Sequence, residues 1–183
     1  MKPLFTVHAG EYLVGSEVER RFPRVNVWIP TKDSGIDLLV SNRTNRRAVS
    51  LQVKFSKDYL YLMEFVLQKR LRACGWWTIK PEKLRKSRAD FWVLVLQGFA
   101  EHTTDFVIVP PGELLRRLKS IHRSQKQKVF QTYLWVTEER RCWETRGLPR
   151  KDQLRIADGI YQEPCREFTR WLNNWDPVVH LNR

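Results

Sequence analysis

Residues 35–56 read GIDLLV-SNRTNRRA-VSLQVKFS, two runs rich in β-branched and aliphatic residues on either side of a polar turn. This is a strong hairpin pattern. In the second run Val49, Leu51, Val53 and Phe55 alternate with Ser50, Gln52, Lys54 and Ser56, so the two sets take opposite faces of a strand. A turn centred on Thr44 and Asn45 sets Ile36 against Val53, Leu38 against Leu51 and Val40 against Val49 on one apolar face. The same register sets Asp37 across from Gln52 on the other face, with Lys54 two residues further along. Opposed Cβ atoms lie about 4.5–5.5 Å apart, close enough for Asp37 and Gln52 oxygens to share one hard cation. A slip of one residue would turn either Asp37 or the Leu/Val row to the wrong side, so burial helps hold the register. Polar residues on the wet side of a half-buried strand are ordinary. What argues for a site is the forced pairing with Asp37, together with a glutamate upstream.

That glutamate is Glu11. Residues 10–22 (GEYLVGSEVERRF) suit an amphipathic helix ending before Pro23. On a helical wheel Val14, Gly15, Val18 and Phe22 lie within about 60° of Glu11. Glu11 is therefore the acid carried inward, whereas Glu17, Glu19, Arg20 and Arg21 form a solvated face. A carboxylate on a buried stripe is costly unless it is paired or works with a cation. The alternative role is complementing the helix dipole, worth about 0.3–1 kcal/mol. Asp33 is a competing acid in the turn 32–35, but a turn aspartate usually caps its own backbone.

A helix with an inward Glu, a strand opening Gly-Ile-Asp and a following strand ending Gln-Val-Lys resemble the PD-(D/E)XK nuclease superfamily, and within it the Holliday-junction-resolvase-like and small restriction-enzyme-like branches. The likeness covers residues 8–56 closely and runs more loosely to about 118. Ser34-Gly35-Ile36 stands where the name-giving Pro would be sought. Gln52 stands where Glu or Asp is usual, and some active members carry Gln there. The resemblance implies a restriction-endonuclease-like α/β core, with a central mixed β-sheet flanked by helices and a C-terminal strand and helix extension. It also implies a Mg²⁺-dependent endonuclease acting on DNA, with Mn²⁺ as a possible substitute. Glu11, Asp37, Gln52 and Lys54 would be its catalytic residues. Asp37, the Gln52 side-chain oxygen and the Val53 carbonyl would hold the metal, and Glu11 a water or a second ion.

The bulk composition fits such a role. The 183 residues carry 33 Lys and Arg against 20 Asp and Glu, a net charge of +13. That excess favours a polyanionic partner, nucleic acid or an anionic membrane surface. No apolar run approaches a membrane span and no signal peptide is visible, so the protein reads as cytoplasmic. Cys74, Cys142 and Cys165 are too few and too dispersed for a disulfide framework or zinc knuckle. His8, His102, His122 and His180 show no ligand spacing. Phosphate loops, dinucleotide fingerprints and the Gly-x-Ser-x-Gly elbow are missing from the sequence. A glycosidase would also use two carboxylates, but would not explain Lys54 on their face.

One domain is expected over residues 1–183, with a core at about 8–122 and an extension at about 123–183. Residues 24–31 read as a strand. Residues 59–73 read as a long helix (Leu60, Met63, Leu67, Leu71) stopped at Gly75. A short basic helix follows over 81–87. Lys80, Lys83, Arg85, Lys86 and Arg88 make a dense positive stretch suited to phosphate. Arg43, Arg46 and Arg47 crowd the hairpin tip, some 20 Å from Asp37, and could grip phosphates there. Residues 91–96 and 105–109 read as buried strands. Residues 113–122 read as a helix with Arg116, Arg117 and Lys119 outward, and 129–136 as a strand paired with 141–145. Residues 147–157 read as a loop, and 164–176 as a helix with Phe168, Trp171, Leu172 and Trp175 at helical spacing. A homodimer is expected if both DNA strands are cut. The competing readings are a DNA-binding protein that retains the fold without cutting, and a protein acting on RNA.

Overall fold

The computed structural model describes residues 9–32, 34–98, 103–123 and 127–182. The expectations for His8, Asp33 and His102 lie outside the described residues. Among the described residues, eight strands are present: β1 (Val25–Trp28), β2 (Leu38–Asn42), β3 (Ala48–Lys57), β4 (Leu71–Ile79), β5 (Phe91–Gly98), β6 (Thr103–Val109), β7 (Phe130–Thr137) and β8 (Cys142–Glu144). The α-helices are α1 (Ala9–Arg21), α2 (Phe65–Gln68), α3 (Pro81–Arg85), α4 (Pro111–His122), α5 (Arg150–Ala157) and α6 (Asp176–Val179).

The hairpin forms at the expected register, Leu38 opposite Leu51 and Val40 opposite Val49. It lies inside a five-stranded mixed sheet of order β1-β2-β3-β5-β6, in which only β3 and β5 run parallel. A second, three-stranded antiparallel sheet of order β4-β7-β8 stands apart from it. The protein is thus α/β, but one sheet more elaborate than a single helix-flanked sheet.

Alternation along β5 explains the layers. Val93 and Val95 join Val14 and Val18 of α1 and Val49, Leu51 and Val53 of β3 on one face. Trp92, Leu94 and Leu96 meet Trp77 and Ile79 of β4 and Leu114 and Leu118 of α4 on the other. A strand buried on both faces reads as a continuous apolar run, as residues 91–96 do. A third cluster, with Cys74, Trp135 and Trp143 against Ile156 of α5, covers part of the outer side of the second sheet.

Five expectations are corrected. Residues 59–73 are not one helix: a 3-10 turn at Leu60–Leu62 and the single turn α2 lead straight into β4. Gly75 does not stop a helix but sits under the Trp77 ring, where a Cβ would come within 2.2 Å of it. Residues 150–157 form α5 instead of a loop. Residues 164–176 form no long helix. Their backbone groups go to other strands, Phe168 N–H to Cys142 C=O (2.7 Å) and Asn173 N–H to Phe106 C=O (2.6 Å). Phe168 and Trp171 fill the cluster between the sheets while Trp175 fills the other, so the segment wraps β6, bridging Val107 to Leu172. Arg117 is buried, not outward.

Gly10 lets α1 lie directly on β3. A Cβ there would come within 2.7 Å of Phe55 Cβ and 3.2 Å of Val53 Cγ1. Gly10→Ala is therefore expected to destabilise the protein by about 1–3 kcal/mol through overpacking, despite alanine's better helix propensity. Urea unfolding checks it, and a midpoint at or above wild type would refute this account of the contact.

Candidate active site

The two strands of the hairpin part company at their open end. Asp37 precedes the first paired residue of β2, and its N–H donates to Leu51 C=O (2.8 Å). The expected Ile36–Val53 pairing does not form part of the ladder. The Asp37 side chain turns inward instead and is 6% exposed. It accepts the Val53 N–H at 2.8 Å and the Gln52 side-chain amide. Lys54 Nζ donates to Val53 C=O at 3.0 Å and lies 5.6 Å from the centre of the Trp92 ring. Trp92 is placed there by the parallel pairing that sets it beside Gln52, and its indole N–H donates to Ser87 Oγ (2.9 Å). The Trp77 indole donates to Lys54 C=O (3.1 Å).

Glu11, 4% exposed on α1, lines the same cavity of about 600 Å³ as Asp37, Gln52, Val53 and Lys54. Lys80, Lys83, Lys86 and Arg88, just after β4 and in the α3 region, line the cavity as well. Glu82 shares that lining, and its hydrogen bond from Lys86 (2.7 Å) holds its carboxyl below the usual range. The cavity therefore gathers buried carboxylates and a cluster of cations around one space.

Of the residues expected at a site, Glu11, Asp37, Gln52, Val53 and Lys54 come together, joined by four of the five cations of the 80–88 stretch. Arg85 is exposed and outside the cavity lining. Arg43 and Arg47 line a different groove, at the hairpin tip with Leu181 and Asn182, and Arg46 is exposed. Trp92, Ser87 and Trp77 were not foreseen. Nothing in the sequence pairs β3 with β5, and Trp92 stands inside an apolar run that reads as core. The three cysteines are free, with Cys74 and Cys142 buried. His122 is half-buried and stacked on Phe130.

Two carboxylates, an amide and a backbone carbonyl offer only oxygen ligands, the donor set of a hard divalent cation such as Mg²⁺. Among the described residues, no group of three or more His, Cys, Asp or Glu gathers in a way that could hold a metal. The candidate set reaches its donor count through Gln52 and Val53. The Gln52 amide nitrogen faces Asp37, and its Oε1 lies 3.9 Å from where a Cβ on Gly35 would stand. A half-turn of the amide plane exchanges these two ends and presents Oε1 beside the carboxylate. Gly35, at φ +79°, adopts a backbone that favours glycine.

Compared with protein-family models, with curated proteins and with solved structures, the chain matches none. Among the described residues, no helix is long and apolar enough to cross a membrane.

Proposed function

We propose that this protein is a divalent-metal-dependent endonuclease that hydrolyses DNA phosphodiester bonds on a restriction-endonuclease-like core. One observation carries the reading. Asp37, Gln52, Val53, Lys54 and the inward Glu11 share a single cavity with Lys80, Lys83, Lys86 and Arg88.

Asp37, the Gln52 oxygen and the Val53 carbonyl would hold the cation, with Glu11 beside them. When bound, Mg²⁺ supplies Lewis acidity at the scissile phosphate and lowers the pKa of a coordinated water. Lys54, steadied by Val53 C=O and the Trp92 ring, orients or deprotonates the attacking water and offsets charge growing on the phosphate oxygens. The water oxygen bonds to phosphorus as the ester P–O bond breaks; the attacking water gives up a proton to solvent, and the leaving oxygen takes one from solvent. Lys80, Lys83, Lys86 and Arg88 hold the neighbouring phosphates, so binding falls steeply with salt.

The test is incubation with plasmid, single-stranded and branched DNA in Mg²⁺, Mn²⁺ or EDTA. Cutting in either metal and none in EDTA is expected. Tight binding with no cutting in either metal would leave the second reading, a nucleic-acid-binding protein that does not cut. That reading is favoured by the Gln52 amide, which already satisfies Asp37 together with the Val53 N–H.

Gln52 also sets the metal dependence. With an amide in place of a carboxylate, the cation's ligands carry one negative charge fewer, which weakens Mg²⁺ binding and favours Mn²⁺ over Mg²⁺. Gln52→Glu should lower the Mg²⁺ concentration needed for half-maximal cutting. A titration showing an unchanged or raised requirement would count against the assignment of Gln52 as a ligand.

A further inference from the structure

The outer side of the second sheet carries an aromatic surface that no core uses. Trp77 and Ile79 of β4 point into the cluster between the sheets, so the alternate residues Trp76 and Thr78 point away from it, and Lys80 follows directly after the strand as the N-cap of α3. All three are exposed, Trp76 by 47%. Antiparallel pairing sets Trp76 beside Tyr133 and Thr78 beside Gln131 on β7. The two aromatic rings stack at 6.0 Å with their planes 26° apart, and the Arg146 guanidinium lies 5.3 Å from the Tyr133 ring. Burial does not explain an indole half in water at mid-strand. A flat face backed by a second ring and a guanidinium does suit a planar ligand.

The surface leads to the cavity. The Trp76 N–H donates to Ser56 Oγ (2.8 Å), and Ser56 stands two residues beyond Lys54 on the same face of β3. Lys80, at the far end of the row and roughly 13 Å from Trp76, lines the cavity itself. None of Trp76, Thr78, Lys80, Gln131, Tyr133 and Arg146 is acidic. Of the carboxylates nearby, Glu144 is buried and held by Arg166 at 2.8 Å, Asp58 is buried and accepts the Leu60 N–H at 2.9 Å, and Glu82 is paired with Lys86 at 2.7 Å.

We propose that this face binds single-stranded DNA, with an unpaired base stacked on Trp76 and the backbone running toward Lys80. Bases within a duplex are stacked on one another and have no free face to offer, so the surface selects unpaired strand. Base–aromatic stacking contributes about 1–3 kcal/mol per base. The consequence for cutting, that the scissile strand is unpaired beside the break, rests on the nuclease reading; the binding does not.

The experiment compares binding of labelled oligo(dT), oligo(rU) and a duplex of the same length in EDTA, where no metal-dependent cutting occurs. Thr is well suited to exposed strand positions, so Trp76→Thr tests the ring without disturbing the sheet. It should weaken oligo(dT) binding roughly tenfold and leave duplex binding unchanged, while Trp76→Phe keeps most of the affinity. Equal binding by wild type and Trp76→Thr, or equal loss on single strand and duplex, overturns the proposal. Tighter, Trp76-dependent binding of oligo(rU) overturns its assignment to DNA. A protein that never cuts can still pass this test, and a nuclease can fail it.

Discussion

Lys54→Ala is expected to lower metal-dependent DNA cutting by about 10²–10⁴-fold while leaving DNA binding in EDTA nearly intact. The separation follows from position. Lys54 lines the cavity beside Asp37 and Gln52, whereas the proposed phosphate contacts are spread over Lys80, Lys83, Lys86 and Arg88. On the proposed mechanism, removing Lys54 takes away water activation and charge stabilisation at the reacting phosphate, but only a small part of the attraction for the polyanion. Asp37→Asn should lose cutting similarly, because in the proposed site its carboxylate would supply the charge that holds the cation. A Lys54→Ala preparation that cuts plasmid as fast as wild type would refute the assignment, since the activity would then arise elsewhere.

The second large effect concerns stability. Arg117, 9% exposed on α4, donates to three backbone carbonyls, Pro164 (2.7 Å), Cys165 (3.0 Å) and Glu167 (2.8 Å). It also pairs with Glu113 at 2.9 Å and lies over the Trp171 ring at 4.4 Å. Arg117→Leu leaves these three carbonyls without their donor and Glu113 with Arg116 alone, and removing a buried charged donor from one side costs about 3–5 kcal/mol. Urea unfolding at pH 7 checks it; a loss under 1 kcal/mol would mean the tail is held by other contacts. Glu113 adds a pH signature. Hydrogen bonds from Arg116 and then Arg117 lower its carboxyl to about 2 from 4.5. Its folded pKa is depressed, so its contribution is complete above about pH 4.5 and fades as pH falls toward 2. The wild type's advantage over Arg117→Leu should shrink across that window.

The hairpin was legible because its strands obey a period of two and its turn residues suit a turn. Asn45 indeed takes φ 58°. The first helix was legible from its wheel and from Pro23. Where the sequence misled, local periodicity was outweighed by partners distant in the chain. Leu60, Met63, Leu67 and Leu71 have helical spacing, yet Leu71 opens a strand committed to β7, more than fifty residues on. Phe168, Trp171 and Trp175 also keep helical spacing. They are divided between two clusters on opposite faces of one sheet, which no single helix face could reach. The overlooked α5 starts just after Pro149, a signal passed over because the segment 147–157 is mostly polar. At the candidate site, alternation within one hairpin was enough to group Asp37, Gln52 and Lys54. Trp92 depends on the parallel pairing of β3 with β5, which leaves no trace in either strand alone.

The wrap of residues 172–173 along β6 bears on self-association. It occupies one margin of the five-stranded sheet. The other margin, β1, is four residues long and lies between Pro23 and Pro30. Open strand margins invite ladder growth from molecule to molecule, and short or proline-bounded ones resist it. Any pairing of two copies on this sheet must therefore run through side-chain surfaces rather than by extending the sheet from one subunit into the next.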